Sequence, residues 1–114
     1  MATTGQNFTM WAGDTKEITF TITDATNLVG ASAKWGLSLH TAMNPLLISK
    51  SSTDATQIVI DSTGTTFTVY LLSSETADLS ETVYYHEAEV EDVAGNRCTV
   101  SVGEINMNPD LVGD

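Results

Sequence analysis

Apolar residues in this chain recur at every second position, in short runs. The longest run covers residues 83–92, where Tyr84, His86, Ala88 and Val90 alternate with polar and charged residues. A period of two places alternate side chains on opposite faces of an extended strand, whereas a helix repeats every three or four residues. The sequence therefore predicts β-strands that each have one face in a core and one face in solvent.

Six further segments show this alternation or a shorter form of it. They are residues 16–23, 33–39, 46–50, 57–61 and 66–72, and the run with Cys98, Val100 and Val102 on one face. Asp61 to Gly64 and Asp92 to Asn96 are turn sequences, so two hairpins are predicted. Residues 73–79 lack alternation and predict one helical turn capped by Ser73 or Ser74, with Leu79 closing the core. Gly103 is expected to bend or end the last strand before Ile105 and Met107 extend it.

These elements predict the architecture. About seven short antiparallel strands without a long helix indicate an all-β, two-sheet immunoglobulin-like β-sandwich, with a closed barrel as the alternative. Trp35 is the largest candidate for the centre of the core, and its strand carries Ala33, Leu37 and Leu39 on the same face. With 114 residues, the chain is predicted to be one domain over residues 1–114, with residues 1–7 and 108–114 as flexible termini.

Charge and cysteine content exclude several classes of function. Fifteen Asp and Glu residues face four Lys and Arg residues, giving a net charge of -11, which repels nucleic-acid phosphate. A single cysteine, Cys98, has no partner for an internal disulfide, which is typical of folding in a reducing cytoplasm. Neither a signal peptide nor a membrane span is expected, because no segment has the required apolar run.

Candidate catalytic and metal-binding residues are few. His86 and Glu87 are neighbours in one strand, so they point to opposite faces, and His86 is predicted to lie in the core or an interface. His40, His86 and Cys98 lack the short spacing of zinc ligands, and the turns at Asp61 and Asp92 lack the alternating oxygen ligands of a calcium loop. No nucleophile or phosphate-loop motif occurs. The chain is therefore predicted to be non-enzymatic and to use no cofactor or metal.

Glu87, Glu89 and Glu91 form a row on the other face of the 83–92 strand. Alternate residues of a strand are about 6.6–6.8 Å apart, which is too far for two carboxylates to share a proton. Glycosidase carboxylates have similar spacing but line a cleft, whereas this row is predicted to be flat and exposed. It is interpreted as a solvated acidic strip that deters edge pairing, with a surface for a basic partner as the alternative.

An aromatic segment precedes the first predicted strand. Trp11 either caps the open end of the sandwich or lies on the surface. If Trp11 is exposed beside Phe8 and Met10, the three side chains form an apolar patch of the kind that marks protein contacts. Together with the three glutamates they are the candidate interface residues, and the aromatic segment is the favoured docking surface.

Three short motifs occur in a familiar order. Residues 11–14 read Trp-Ala-Gly-Asp, Leu79 is followed by the Tyr-Tyr-His-Glu-Ala-Glu-Val run of residues 84–90, and Asp92-x-x-Gly95-Asn96 leads into residues 99–105. Over roughly residues 8 to 109 this order resembles small immunoglobulin-like domains of tailed-bacteriophage virion proteins, including the N-terminal domain of upper-baseplate proteins. The spacing of Leu79 and Tyr84 is similar to the tyrosine corner that begins strand F.

The resemblance implies a non-enzymatic virion protein that is made in the host cytoplasm. Such a protein docks on other virion proteins as a tail, baseplate or capsid-decoration component and forms homo-oligomers by symmetry. A carbohydrate-binding or host-surface-binding module is the alternative, with Trp11, Trp35 and Tyr85 as an exposed platform, although the inward phase of Trp35 argues against it. An enzyme or inhibitor would depend on His86 and the carboxylates.

Overall fold

A computed structural model describes residues 7–21, 30–43, 45–61 and 66–109. Within these residues the chain forms eight strands and one short helix. They are β1 (Phe8–Trp11), β2 (Lys16–Thr21), β3 (Ser32–Ser38), β4 (Ile48–Ser51), β5 (Ile58–Ile60), β6 (Thr66–Leu71), α1 (Ser73–Thr76), β7 (Thr82–Glu91) and β8 (Arg97–Asn108). Residues 22–23 of the first predicted strand and residues 62–64 of the first predicted turn lie outside the described residues.

The strands form two sheets, which confirms the predicted immunoglobulin-like β-sandwich. One sheet has the order β1-β8-β7-β3-β4 and the other β2-β6-β5. The seven predicted strands pair antiparallel, and an eighth strand that the sequence pattern did not indicate, β1, runs parallel to β8. After β1 the chain turns at Gly13, where φ is +86°, and enters β2 in the opposite sheet. β1 and β2 therefore do not form a hairpin, and no tight turn forces β1 to run antiparallel to the strand beside it.

The inner faces of the two sheets form one core. Trp35, Phe20 and Phe67 are its largest fully buried side chains, and the rings of Phe20 and Phe67 stack with centroids 5.1 Å apart across the β2–β6 ladder. On β7, the predicted inner residues Tyr84, His86, Ala88 and Val90 are all buried. The alternation in the sequence therefore gave the correct phase for β2, β6 and β7.

The β7–β8 hairpin forms as predicted, closed by a turn that Asp92 organises. The Asp92 carboxylate accepts hydrogen bonds from the amides of Ala94 (3.0 Å) and Asn96 (2.9 Å), and Gly95 takes a φ of +89°. These bonds, led by the Asn96 amide, hold the pKa of Asp92 below its ordinary value. Asp92 therefore acts as a turn residue.

A bulge changes the phase of β8. Ala88 pairs with Ser101 and Glu89 pairs with Thr99, so the ladder skips Val100. Val100 and Ser101 are consequently both buried, and every later residue changes face. Val102, predicted to lie in the core with Cys98 and Val100, is instead 45% exposed. Gly103 lies within the continuous strand opposite His86 and does not end it.

The short helix differs from expectation in its cap. The cap of α1 is supplied by Glu75, which accepts a hydrogen bond from the Leu72 amide at 2.8 Å, and not by Ser73 or Ser74. At the end of β8 the Asn108 carbonyl accepts a bond from the Ala12 amide at 2.9 Å, and flexible termini over residues 1–7 and 108–114 stay a prediction. Residues 1–6 and 110–114 lie outside the described residues.

Tyr84 closes one end of the sandwich by a tyrosine corner. Its hydroxyl donates to the Ser80 carbonyl at 3.0 Å, four residues upstream, and burial raises the pKa of Tyr84 above its ordinary value. Replacing Tyr84 with phenylalanine is expected to lower the free energy of unfolding by about 1 kcal/mol, since one partly buried hydrogen bond is lost. Urea denaturation measures this, with Tyr70→Phe as the control; equal stability of the Tyr84 variant and wild type would contradict it.

Candidate docking face

The outer face of the five-stranded sheet is the surface that turns away from the core. Tyr85, Glu87, Glu89 and Glu91 lie on it along β7, in the middle of the sheet. Lys34 on β3 lies directly opposite Glu89, and Val102 and Glu104 on β8 lie opposite Glu87 and Tyr85. All these side chains are half-buried or exposed. The face therefore combines carboxylates with aromatic and aliphatic groups.

The described residues of the 39–47 segment, 39–43 and 45–47, fold back over this face beside β3. The Ser38 hydroxyl donates to the Pro45 carbonyl at 2.7 Å and accepts from the His40 amide at 3.1 Å. Leu46 lies over Gly36, so close that a Cβ at that position would be 2.8 Å from Leu46 Cδ2. Because Gly36 has no side chain, Leu46 can pack directly against the sheet. Because the chain turns after Ser38, Leu39 is 46% exposed and not in the core as predicted.

Two adjoining hollows lie on the outer face, beside the 39–47 segment. The first has a volume of about 530 Å³ and is lined by residues of β3, β4 and β7 with Met43 and Leu46. The second has a volume of about 550 Å³ and is lined by residues of β7 and β8 with Asn7, Thr41 and Met43. Met43 and Glu87 line both hollows. The two hollows are therefore neighbours. Met43, between them, has a left-handed backbone conformation with a φ of +56°.

Charge is distributed unevenly between the hollows. In the first, Glu89 has Lys34 as its partner across the ladder. Lys50, which also lines it, is bound to Glu75, and its side chain is 4% exposed. In the second, Glu87 and Glu104 are accompanied by Tyr85 and Val102, and no lysine or arginine of the described chain lines it. The second hollow therefore has the more negative lining.

The three predicted glutamates do not form a uniform solvated strip. Each is only half-exposed, because β3 and β8 flank β7 on both sides. Glu87 accepts a hydrogen bond from Thr99 Oγ1 at 3.3 Å, and Glu91 pairs with Arg97 at 3.0 Å. Glu87 and Glu89 line the hollows, whereas Glu91 lies at the hairpin end of the strand. The expectation of a flat, wet row is wrong for this reason.

The predicted aromatic patch before β2 is not formed. Phe8 and Met10 face inward from β1, where Phe8 is half-buried against the core and Met10 is 3% exposed. Trp11 has the opposite phase and is 46% exposed, so it does not cap the core. Because β1 is a strand paired with β8, its alternate residues point to opposite faces, and Trp11 is separated from Phe8 and Met10. Trp11 alone of the three keeps a large exposed surface, and an interface role for it stays a prediction.

His86 lies in the core, as the sequence predicted. Its Nδ1 accepts a hydrogen bond from Trp35 Nε1 at 3.0 Å, and the Phe8 ring meets its ring edge-on at 5.6 Å. An acceptor at Nδ1 fixes the neutral tautomer with the proton on Nε2. His86 stands two residues after the corner tyrosine, where antibody domains carry a cysteine of the inter-sheet disulfide. Here the ring of His86 lies near that of Phe20 on β2, in the opposite sheet, with ring centroids 6.2 Å apart.

Several residues of the outer face could not be predicted from the sequence pattern. Met43 and Leu46 follow a polar stretch without periodicity, and Glu104 lies beyond the bulge that reverses the phase of β8. A signal was available for Glu104, because the apolar phase changes from Cys98 and Val100 to Ile105 and Met107. Nothing in the local pattern places residues 39–47 over the sheet.

No three His, Cys, Asp or Glu side chains among the described residues are grouped so as to hold a metal ion. In the same residues, no helix has the length and apolar character to cross a membrane.

Comparisons with known proteins place the chain in no family. No family model matches it, and no curated protein matches it. Among solved structures, it is similar to part of a protein from Bacteroides vulgatus described as a candidate glycoside hydrolase, with 10% identity and a TM-score of 0.44. The likeness covers 92% of this chain but 17% of that one. At this level it carries no conclusion about function.

Proposed function

We propose that this chain is a non-enzymatic component of a bacteriophage particle that docks on other virion proteins through the outer face of its five-stranded sheet. The observation that carries the proposal is the set of apolar side chains left uncovered at this face. Leu46 is 49% exposed and Val102 is 45% exposed, on either side of Glu87. Exposed apolar groups next to charged groups are typical of protein contact surfaces.

Charge complementarity defines the partner. The chain carries a net charge of -11, and Glu87, Glu89 and Glu104 line the hollows of the face. A basic surface on another virion protein would be attracted, whereas a second copy of this chain would be repelled at this face. Symmetry of the particle would present several copies at once, so a weak single contact would be strengthened by multivalency.

An aromatic carbohydrate platform is less well supported. It would need Trp11, Trp35 and Tyr85 together on one surface. Trp35 is 2% exposed and donates its indole N–H to His86, so it has no face to offer a sugar ring. A protein partner therefore remains the proposal.

Incorporation into particles tests the proposed function. A phage lacking the gene is supplied with the wild-type chain or with Leu46→Asp, and purified particles are probed with an antibody against the chain. Leu46→Asp is expected to reduce incorporation at least about tenfold, because a charge replaces an apolar contact. Leu72→Asp is the matched control, since Leu72 is similarly exposed at 54% but lies at the start of α1. Absence of the wild-type chain from particles would refute the proposal.

A further inference from the structure

We infer that the two hollows bind one extended segment of the partner, which places a lysine or arginine side chain in the second hollow and an aliphatic side chain in the first. This inference rests on the proposed function and specifies the chemistry of the docking partner. Its basis is the unequal lining of two hollows that share Met43 and Glu87. One continuous occupant would cross from β4 towards β8 and pass beside Met43.

The second hollow has the groups that a cation requires. Glu87 and Glu104 are diagonal neighbours across the β7–β8 ladder, because Glu87 pairs with Val102 and Tyr85 pairs with Glu104. Diagonal positions of a ladder are within reach of long side chains. Tyr85 adjoins both carboxylates on the same face, opposite Glu104 and two residues before Glu87, so its ring is placed to contact a cation that both carboxylates attract. The Glu104 amide is held by Asn7 Oδ1 at 2.9 Å, which fixes the backbone at this position.

The first hollow favours an aliphatic side chain. Met43 and Leu46 form one wall, and Leu46 packs over Gly36, which also lines the hollow. Lys34 lies across the ladder from Glu89, so it offsets the carboxylate that an incoming cation would otherwise meet. An aliphatic side chain in the hollow would bury this apolar wall away from water, which contributes favourable free energy to binding.

The spacing of the hollows sets the spacing of the two side chains. The first hollow is lined by β3 and the strands on either side of it, and the second by β7 and β8, so their centres lie about one and a half strand spacings apart, roughly 7 Å at about 4.8 Å per strand. Alternate residues of an extended segment point to the same side and lie about 6.8 Å apart, which matches this distance. The expected motif is therefore a basic residue and an aliphatic residue two positions apart.

An array of immobilised octapeptides tests the inference with purified full-length chain. The peptides carry every combination of Arg, Lys, Glu, Leu and Ser at two positions separated by one residue. Binding is expected to be strongest for Arg or Lys paired with Leu and to weaken as salt rises. The double variant Glu87→Gln, Glu104→Gln is expected to lose at least about tenfold in affinity for these peptides. Glu17→Gln on β2, which lies in the other sheet, is the matched control and should bind like wild type.

Thermal melting checks that each variant is folded, which is expected because Glu87 is only half-buried and Glu104 is exposed. Selection of acidic peptides, or equal binding by the folded double variant, would overturn the inference. Self-association of the wild-type chain that the double variant abolishes would also overturn it, because the occupant would then be a second copy. If the double variant enters particles normally while Leu46→Asp does not, the proposed function stands and this inference fails. Reduced entry of both variants supports both proposals.

Discussion

Truncation of Trp35 to alanine is expected to destabilise the domain by about 3–5 kcal/mol, which is enough to unfold much of a marginally stable population. Trp35 is 2% exposed at the centre of the core, so its loss leaves a large cavity between the two sheets. The same change removes the donor to His86 Nδ1 and leaves a buried ring nitrogen without that bond. The free energy of unfolding from urea denaturation measures the effect.

Two further variants separate the contributions to this effect. Trp35→Phe retains much of the ring volume but lacks the N–H, so it is expected to cost less than Trp35→Ala and still more than a surface change. Trp11→Ala removes the same side-chain type from a site that is 46% exposed and should change stability by less than about 1 kcal/mol. A Trp35→Ala protein with the stability of wild type would contradict the placement of this residue.

Neutralising Glu75 is expected to cost about 2–3 kcal/mol at neutral pH. Glu75 Oε2 accepts from Lys50 Nζ, whose side chain is 4% exposed and lies under the first hollow. In Glu75→Gln the Lys50 ammonium stays buried without its bonded counter-charge, which is costly, although the nearby charge of Asp54 and the 28% exposure of Glu75 reduce the cost. Glu91→Gln is the control, because its pair with Arg97 is exposed and should contribute less than about 1 kcal/mol.

The effect of Glu75 should depend on pH. Burial alone would raise the pKa of Glu75, but hydrogen bonds from Lys50 and the Leu72 amide, with the charge of Lys50, hold it below its ordinary value. A pKa lowered by folding means that the pair stabilises the protein above the unfolded value, about 4.3, and that this stabilisation is lost as pH falls through the folded value. The difference between wild type and Glu75→Gln should therefore be full at pH 7 and small at pH 3. An equal difference at both pH values would show that the lost interaction is not ionic.

Much of the sandwich follows from local pattern. In β7 the apolar residues alternate without interruption, and burial follows the same alternation from Tyr84 to Val90. The turn at Asp92 is equally local, because a carboxylate that accepts amides two and four residues ahead needs no distant partner. Such elements are predictable since neighbouring residues determine their geometry.

The remaining features depend on contacts between distant segments. The parallel pairing of β1 with β8 joins residues almost a chain length apart and buries Met10, which reads as part of a surface patch in the sequence alone. The bulge at Val100 moves Val102 to the outer face. Leu46 packs against the sheet only because Gly36 has no side chain there. Lys50 reads as the polar end of an edge strand, yet its bond to Glu75 allows it to be buried.

The candidate site was accordingly predicted in part. Glu87 and Glu89 were recognised because they lie on a regular strand, whereas their neighbours Met43, Leu46 and Glu104 come from a loop and from beyond a bulge. The sequence therefore indicated an acidic face but not the hollows within it. The hollows are the reason that we propose this face, and not the aromatic segment at Trp11, as the docking surface.

Hydroxyl-radical footprinting of the chain, free and on purified phage particles, tests the docking face most directly. Met43 is the central reporter, because it lines both hollows and its thioether oxidises readily. We expect Met43, Leu46 and Tyr85 to be strongly protected on the particle, while Val59 on the opposite sheet, which is 41% exposed, is modified equally in both states. Protection of Val59 with unchanged oxidation of Met43 would contradict docking through the outer face.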